Sequence, residues 1–365
     1  MKISAVIEHL EHTASPSLQE SYDNAGLITG NINWECNGIL VCLDATVQVL
    51  EEAKKRNCNL VLAHHPILFR AIKRITGSDY VQQALIAAIK NDIAIYAIHT
   101  NLDNVIHGVS GKMAEVLGLQ NVQILSGKQG TLAKLYTFVP IESAEEVRKA
   151  IFEAGGGNIG NYSECSFNSE GKGTFKAKEG ADPYIGEIGK PTTTNEIKIE
   201  VVFPVYLEHR VVPAMLKAHP YEEVAYDVIK LENYYQAVGA GVIGELKDPL
   251  PEEQFLRLLK QKFNVPLIRH TPLCGKTVKR VALCGGAGSF LISKALAAGA
   301  DFYITADVKY HEFFDANGKT VIADIGHYES EQFTIDLLHQ ILAEKFPTFA
   351  VLKSGTVTNP VNYYF

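Results

Sequence analysis

The chain has 365 residues, of which 47% are hydrophobic and 21% charged, so it can form a sizeable core in two or three domains. Its 34 basic and 41 acidic residues give a formal net charge of −7, which argues against a nucleic-acid-binding protein. No apolar run reaches the roughly 18 residues of a membrane span. Scattered cysteines without a C-x-x-C motif and the absence of a signal-peptide core predict a soluble, cytoplasmic protein.

The first part of the chain alternates strand and helix signals. Short apolar runs predict strands, and the segments between them have helical spacing. Near-continuous apolar strands separated by helices are typical of a parallel sheet covered on both faces. In chain order the predicted elements are "GILVCL" (strand), "ATVQVLEEAKKRN" (helix), "NLVLA" (strand), "DYVQQALIAAIKND" (helix) and "IAIYAI" (strand).

The pattern changes near residue 129. The helix "SAEEVRKAIFEAG" should open with a capping box between Ser143 and Glu146, and residues 169–194 are expected to form a long hairpin or loop. The order βαββαβ indicates an inserted ferredoxin-like α+β domain over 129–235. Its elements are "AKLYTFVP" (strand), "SAEEVRKAIFEAG" (helix), "YSECSFN" (strand), "EIKIEVVFP" (strand), "LEHRVVPAMLKAH" (helix) and "AYDVIKL" (strand).

The α/β pattern resumes in the last part of the chain and resembles the first part. A shift of 242 residues places Cys42 on Cys284 and "NLVLAHH" on "DFYITAD". We interpret this as an internal duplication, although any two βαβ units look alike to some degree. The sequence thus predicts two similar α/β lobes, 1–128 and 236–365, with mostly parallel sheets. The last predicted elements are "RVALCGGAGS", "FLISKALAAG", "DFYITA", "KTVIADIG" and one long helix, "ESEQFTIDLLHQILAEKF".

Two adjacent histidines, His64 and His65, follow the predicted strand "NLVLA", and Pro66 prevents the strand from continuing. Open α/β sheets bind ligands outside the carboxyl ends of their strands. Both imidazoles can therefore reach one crevice and bind metal. The alternative is one buried structural histidine and one surface histidine.

Two other strand ends carry similar groups. Asp103 follows "IAIYAI", and His327 and Glu331 follow "TVIADI", four residues apart on one predicted helix face. Taken singly, each has an ordinary explanation as a turn former, a helix cap or a solvated carboxylate. Taken with the histidine pair, three histidines and two carboxylates exceed one four-coordinate site. They suit two metal ions that share a bridging carboxylate, and the two adjacent histidines need not share an ion.

The chain resembles the Nif-three-like dinuclear-metal proteins, in the bacterial long form labelled "GTP cyclohydrolase 1 type 2 homologue". The resemblance covers nearly the whole chain and lies in "DNAGL", "LAHHP", "HTNLD", "TADVKYH" and "GHYESE". The family usually has Thr-Gly-Asp where this chain has Thr305-Ala306-Asp307. The resemblance implies a CutA/PII-like insert and a toroidal homohexamer whose metal sites face an internal cavity. It implies that two divalent ions bind His64, His65, Asp103, His327 and Glu331. Considered together, the strand ends predict that His64 and His65 each bind a different ion and that Glu331 bridges the two.

Other residues are weaker candidates for the same site. His99 and His311 are candidate acid/base groups, and Asn24 and Tyr310 are candidate substrate contacts. A structural role is equally open for His99, His311 and Tyr310, and turn geometry is the favoured explanation of Asn24. The segment "CGGAGS" precedes a predicted helix and could bind phosphate, but it lacks the Walker and dinucleotide spacings.

Two functions are consistent with these features. The first is a metal-dependent hydrolase acting on an unidentified small molecule, for which the family label suggests GTP cyclohydrolase activity. The second is a non-catalytic metal-binding regulatory or scaffold protein that acts through the insert. A set of histidine and carboxylate ligands does not distinguish Zn, Fe, Mn, Co and Ni.

Overall fold

The computed structural model describes residues 1–364. The chain forms two compact units. The first unit comprises Met1–Ser126 and the chain from Ala237 onward, and the second comprises Gly127–Gln236. The domain limits at 128 and 235 stay a prediction. All six cysteines are unpaired thiols, and none of the described helices is long and apolar enough to cross a membrane.

Strands and helices alternate along much of the described chain. The strands are β1 (Gly26–Thr29), β2 (Ile39–Cys42), β3 (Leu60–Ala63), β4 (Ala94–Ala97), β5 (Gln120–Gly127), β6 (Leu132–Pro140), β7 (Phe167–Lys176), β8 (Pro191–Pro204), β9 (Tyr226–Leu231), β10 (Gly239–Pro251), β11 (Arg269–His270), β12 (Thr277–Ala287), β13 (Phe302–Ala306), β14 (Val321–Asp324) and β15 (Val351–Lys353). The α-helices are α1 (Ile3–Thr13), α2 (Val47–Lys55), α3 (Tyr80–Lys90), α4 (Thr100–Asp103), α5 (Val109–Leu117), α6 (Ala144–Glu153), α7 (Glu208–Ala218), α8 (Glu252–Phe263), α9 (Ile292–Ala297), α10 (His327–Glu331) and α11 (Thr334–Lys345). Short 3₁₀ helices occupy Pro16–Leu18, Ile141–Ser143, Val205–Leu207, Ser289–Leu291 and Tyr310–Ala316.

The first unit is a mixed α/β structure built on two sheets. One sheet has the order β1-β4-β3-β2-β15, in which β1 is antiparallel and the other strands are parallel. The other has the order β11-β14-β13-β12-β10-β5, with β12, β13 and β14 parallel. Strands β2, β3, β4, β13 and β14 are buried along their whole length, which explains their continuous apolar sequences.

The two sheets of the first unit repeat one arrangement. The order β1-β4-β3-β2 corresponds to β11-β14-β13-β12. Ile39 pairs with Leu60 in the first sheet, and Val281 pairs with Phe302 in the second, so both pairs are related by the same 242-residue shift. The shared order and register support the interpretation of the two lobes as a duplication.

Two local predictions were wrong. The long helix expected over 329–346 is two helices, α10 and α11, which are separated by Gln332 and Phe333. Ser143 does not cap α6, because its side chain makes no capping hydrogen bond. Ser143 ends the 3₁₀ helix Ile141–Ser143, so its backbone is already near helical rather than extended as a capping serine requires.

The second unit has the element order β6-α6-β7-β8-α7-β9. Its strands form an antiparallel sheet in the order β7-β8-β6-β9. Helices α6 and α7 pack on one face of this sheet, where Val147 and Met215 join Ile199 and Val201 of β8 in a common core. Within the stretch 169–194, residues 169–176 and 191–194 pair as the two strands of a hairpin and residues 177–190 connect them, which confirms the expected hairpin. The segment "YSECSFN" contributes only its last two residues to β7.

Candidate metal centre

Side chains from several strand ends of the first unit meet at one place. His64 and His65 follow β3, and Asp103 ends α4, the short helix that follows β4. His327 and Glu331 begin and end α10, which follows β14. The carboxyl ends of the parallel strands lie at one edge of each sheet. The strand-end residues of the two sheets meet here, so residues more than 200 positions apart come together.

The first group of ligand atoms contains His64, Asp103 and Glu331. His64 Nε2 lies 3.7 Å from Asp103 Oδ1 and 3.9 Å from Glu331 Oε1. His64 is fully buried, and neither its Nε2 nor Asp103 Oδ1 has a hydrogen-bond partner. Buried polar atoms without partners are costly and need an explanation. His64 Nε2 is too far from either carboxylate oxygen for a hydrogen bond.

The second group contains His65, His327 and the other oxygen of Glu331. Glu331 Oε2 lies 2.9 Å from His65 Nε2 and 3.1 Å from His327 Nε2, and the two nitrogens are 3.4 Å apart. Three potential ligand atoms thus converge on one point. Glu331 is only 3% exposed, and its two oxygens face different groups.

The opposite nitrogen of each of these histidines is held by the protein. His64 Nδ1 lies 2.8 Å from the Ile98 carbonyl oxygen. His65 Nδ1 donates to Asp44 at 2.8 Å, and His327 Nδ1 donates to Asp307 at 2.7 Å. Such bonds fix the tautomer and the ring orientation of metal-binding histidines. When the imidazole is neutral, they leave the electron pair on Nε2, the nitrogen that faces the ligand groups.

The electrostatics of the site couple metal binding to protonation. Burial lowers the pKa of His65, but hydrogen bonds to Asp44 and Glu331 outweigh burial and raise this pKa to about 9. Burial also lowers the pKa of His327, but hydrogen bonds to Asp307 and Glu331 outweigh burial and raise this pKa to about 11. Burial and the repulsion of Glu331 raise the pKa of Asp103. A histidine ligand must be neutral, so protons and a cation compete for these nitrogens.

His99 stands beside the histidine pair. Its ring centroid is 5.3 Å from that of His64 and 5.4 Å from that of His65. Its Nδ1 donates to Asp23 at 2.8 Å, and Asp23 also accepts from the backbone and the hydroxyl of Thr100. These bonds outweigh burial and lower the pKa of Asp23. His64, His65 and His99 also form a set of nitrogens close enough to share an ion.

The groups line a cavity of about 930 Å³ in the first unit. That volume is in the range of small-molecule sites. Both ligand groups contribute to its wall, and Cys284, Gly285 and the C-terminal Asn359 add to it. Its aromatic wall residues are Tyr22, Phe69, Tyr80, Phe290, Tyr328 and Tyr363.

The remaining candidates lie elsewhere. His311 and Tyr310 are exposed in a 3₁₀ helix, where their rings contact each other and Phe314, and they are not among the residues lining the cavity. The side chain of Asn24 donates to the Leu68 carbonyl at 2.8 Å, which connects two loops. The structure therefore brings His99 to the site. Asn24 adjoins Asp23 and donates its backbone N–H to that carboxylate, but Asn24, His311 and Tyr310 are not among the residues that line the cavity.

The glycine segment "CGGAGS" lies against Glu331 and α10. A Cβ on Gly286 would lie 2.4 Å from Glu331 Oε1, and the φ angle of Gly286 is +60°. The Gly286 N–H also donates to Ser330 of α10. Gly286 makes room for the Glu331 carboxylate, which explains this glycine without a phosphate.

Three aspartates of the site were not predicted from the sequence. Asp44, Asp307 and Asp23 hold His65, His327 and His99, respectively. Asp44 lies two residues after β2, and Asp307 lies one residue after β13. Both therefore follow the carboxyl ends of parallel strands, a signal in the sequence that would have identified them.

Comparisons with known proteins identify the family. A family model described as Duf34/NIF3 (NGG1p interacting factor 3) matches residues 1–360. Proteins named "GTP cyclohydrolase 1 type 2 homolog" from Halalkalibacterium halodurans and Bacillus subtilis are 38% and 37% identical, and the alignments cover 100% and 98% of this chain and 100% and 97% of theirs. A crystal structure of a Bacillus cereus protein related to NIF3 superposes with a TM-score of 0.88 at 37% identity, covering 100% of this chain and 99% of that one. The chain belongs to the DUF34/NIF3 family.

Proposed function

We propose that the first unit holds two divalent metal ions. His64, Asp103 and Glu331 Oε1 would bind one ion, and His65, His327 and Glu331 Oε2 would bind the other. The observation that carries this proposal is the division of the Glu331 oxygens between two groups of ligand atoms. Nitrogen and carboxylate ligands suit Zn, Fe, Mn, Co or Ni, and metal availability decides among them.

The chemistry that this arrangement supports best is hydrolysis. A pair of divalent ions supplies Lewis acidity and lowers the pKa of a water molecule. His99 is placed to accept or donate a proton at Nε2, because Asp23 holds its Nδ1. The aromatic wall of the cavity offers flat surfaces on which a substrate ring can stack.

GTP is the first substrate to test. The name of the relatives refers to a GTP cyclohydrolase, and the cavity of about 930 Å³ is large enough for a nucleotide. Opening a purine ring requires attack by water at an electrophilic carbon followed by proton transfers, which two metal ions and an acid/base histidine can support.

The test measures metal content and turnover together. Purified wild type is expected to hold two divalent ions per chain and to hydrolyse GTP, or another compound in a panel of nucleotides, esters and phosphoesters. Glu331→Gln should lose most of the metal and the activity, because Glu331 serves both groups. Glu51→Gln is the matched control, since Glu51 is exposed on α2. Less than one ion per chain after reconstitution would overturn the metal proposal.

A non-catalytic regulatory or scaffold role is the second candidate. It would rest on the second unit, which we propose to be an inserted ferredoxin-like, CutA/PII-like domain. The strand order β7-β8-β6-β9 and the two helices on one sheet face support that assignment. Two ions per chain without turnover on any compound of the panel would favour this role over catalysis.

We also propose that the protein assembles as a toroidal homohexamer, on the basis of the family resemblance. Light scattering coupled to size-exclusion chromatography should then give six times the chain mass of 40.1 kDa. A monomer or dimer across a range of protein concentrations would contradict the proposal.

A further inference from the structure

The second compact unit has a cavity of its own, of about 780 Å³. It lies on the sheet face opposite α6 and α7. Side chains alternate along a strand, so the burial of Ile199 and Val201 against the helices turns Glu196 and Lys198 of β8 to the other face. Residues of the segment 177–190 and of the turn that follows α7 line the remaining sides.

The cavity contains a buried acid without a cationic partner. Glu196 is 7% exposed and lines the cavity. Its Oε1 accepts a hydrogen bond of 2.7 Å from the Tyr221 hydroxyl, and among the described residues no lysine, arginine or histidine forms an ion pair with it. Lys198 is on the same face, but its ammonium bonds to Glu200. An acid buried without a cation lowers stability, and a bound cation would remove that cost.

A glycine leaves space at the second oxygen of Glu196. Gly173 of β7 pairs with Thr194 of β8. A Cβ at Gly173 would lie 2.1 Å from Glu196 Oε2. A glycine within a strand is unfavourable and often marks a close approach of another group. Here it lets the carboxyl group lie against the strand.

Aromatic rings form the wall beside the acid. The Tyr221 ring has the rings of Phe175 and Tyr184 at centroid distances of 6.2 Å each, and all three residues line the cavity. Lys172, Lys176 and Lys178 also line the cavity, but Lys172 and Lys176 alternate with Gly173 and Phe175 along β7, and none of the three forms an ion pair with Glu196 among the described residues. A carboxyl group next to aromatic faces is the environment that a protonated amine prefers.

We propose that this cavity binds a small organic cation with a protonated amine. An N–H of the ligand would donate to Glu196 Oε2, and its charge and apolar body would lie against Tyr221 and Phe175. The site is separate from the metal centre, since its residues all belong to the second unit. The proposal does not depend on the function of the metal centre.

The test uses the full chain and two probes of the same shape. Phenethylamine carries the ammonium, and 2-phenylethanol is its neutral counterpart. Calorimetric titration should show phenethylamine binding at least about tenfold more tightly than 2-phenylethanol, which corresponds to one charge-assisted contact. Glu196→Gln should remove that difference by weakening only the amine, because it removes the charge and keeps the shape.

Two further variants distinguish a specific loss of amine binding from a loss caused by misfolding. Tyr221→Phe keeps the ring and loses the hydroxyl that orients the acid, so amine affinity should fall about two- to fivefold. Glu179→Gln alters an exposed acid of the same unit and should leave the affinity unchanged. Circular dichroism establishes that each variant is folded. The proposal is overturned if folded wild type does not bind phenethylamine, if both probes bind equally, or if folded Glu196→Gln binds the amine like wild type.

Discussion

Glu331 is the residue on which both ligand groups depend, and Gly286 determines whether its carboxylate fits. Gly286→Ala would place a methyl group 2.4 Å from Glu331 Oε1 at a φ of +60°. We expect this variant to fold and to lose most of its metal. Gly299→Ala is the matched control, because Gly299 has a φ of +70° and open space around its Cβ. Both should lose about 1–2 kcal/mol of stability from the left-handed backbone.

The measurement for this pair is metal per chain by elemental analysis, together with thermal unfolding. Equal metal content in the two variants would show that the clash with Glu331 is relieved without displacing the carboxylate, and would contradict the role assigned to Gly286.

Asp307 acts on the site through His327. Asp307→Asn should weaken metal binding about 10- to 100-fold, a typical effect of losing the carboxylate behind a ligand histidine. The effect should fall on the ion at His65 and His327 and spare the ion at His64, whose Nδ1 faces a carbonyl. Competition with a chelator would show one weakened and one unchanged ion. Asp336→Asn, in an exposed ion pair with Lys353, is the control.

At the scale of elements, the C-terminal segment is held by Glu52 of α2. Glu52 accepts hydrogen bonds from the Gly355 backbone and from Ser354, Thr356 and Arg56. Burial opposes the effect of these bonds, but the bonds outweigh it and lower the pKa of Glu52 to about 2. The segment then continues to Thr358, which donates to the Asp44 carboxylate behind His65.

This arrangement predicts a pH-dependent contribution to stability. A carboxylate with a depressed pKa stabilises the fold above its unfolded value of 4.5, and the contribution is lost as the pH falls towards 2. Glu52→Gln should lower the free energy of unfolding by about 1–3 kcal/mol at pH 7, with a smaller difference from wild type at low pH. Denaturant unfolding between pH 7 and low pH measures this difference in the free energy of unfolding, with Glu51→Gln as the control. A difference independent of pH would contradict the role assigned to the Glu52 carboxylate.

Helix boundaries show where local sequence is a weak guide. Asp79 caps α3, and its side chain accepts from the backbone of Gln82. Ser143 matches the sequence preference of an N-cap equally well, but its side chain does not cap α6. The preceding 3₁₀ helix holds the Ser143 backbone in a helical conformation. The division of the last predicted helix into α10 and α11 could likewise not be predicted from the spacing of its apolar residues, which continues across Gln332 and Phe333.

At the scale of the whole molecule, the proposed metal centre belongs to one compact unit. Every residue of both ligand groups lies in the first unit. Strands β5 and β10, which lead into and out of the second unit, are neighbours in one sheet. Replacing residues 128–235 by a short glycine-serine linker should therefore keep the metal and abolish phenethylamine binding.

Metal analysis and calorimetry on this deletion variant separate the two sites. Full metal content with no amine binding is the expected outcome. Loss of metal in a folded variant would mean that the second unit is needed for the centre, and retained amine binding would place that ligand in the first unit.

The sequence by itself determined the α/β class, most strand positions and the five residues that the structure gathers, because buried parallel strands have continuous apolar sequences and polar groups at their ends mark a ligand site. The register shared by β2–β3 and β12–β13 was also readable as a 242-residue shift. Only the tertiary structure decided which oxygen of Glu331 faces which histidine, which aspartates hold the rings, and that His311 and Tyr310 lie outside the cavity. Those facts depend on distances between residues far apart in the chain, which no local pattern encodes.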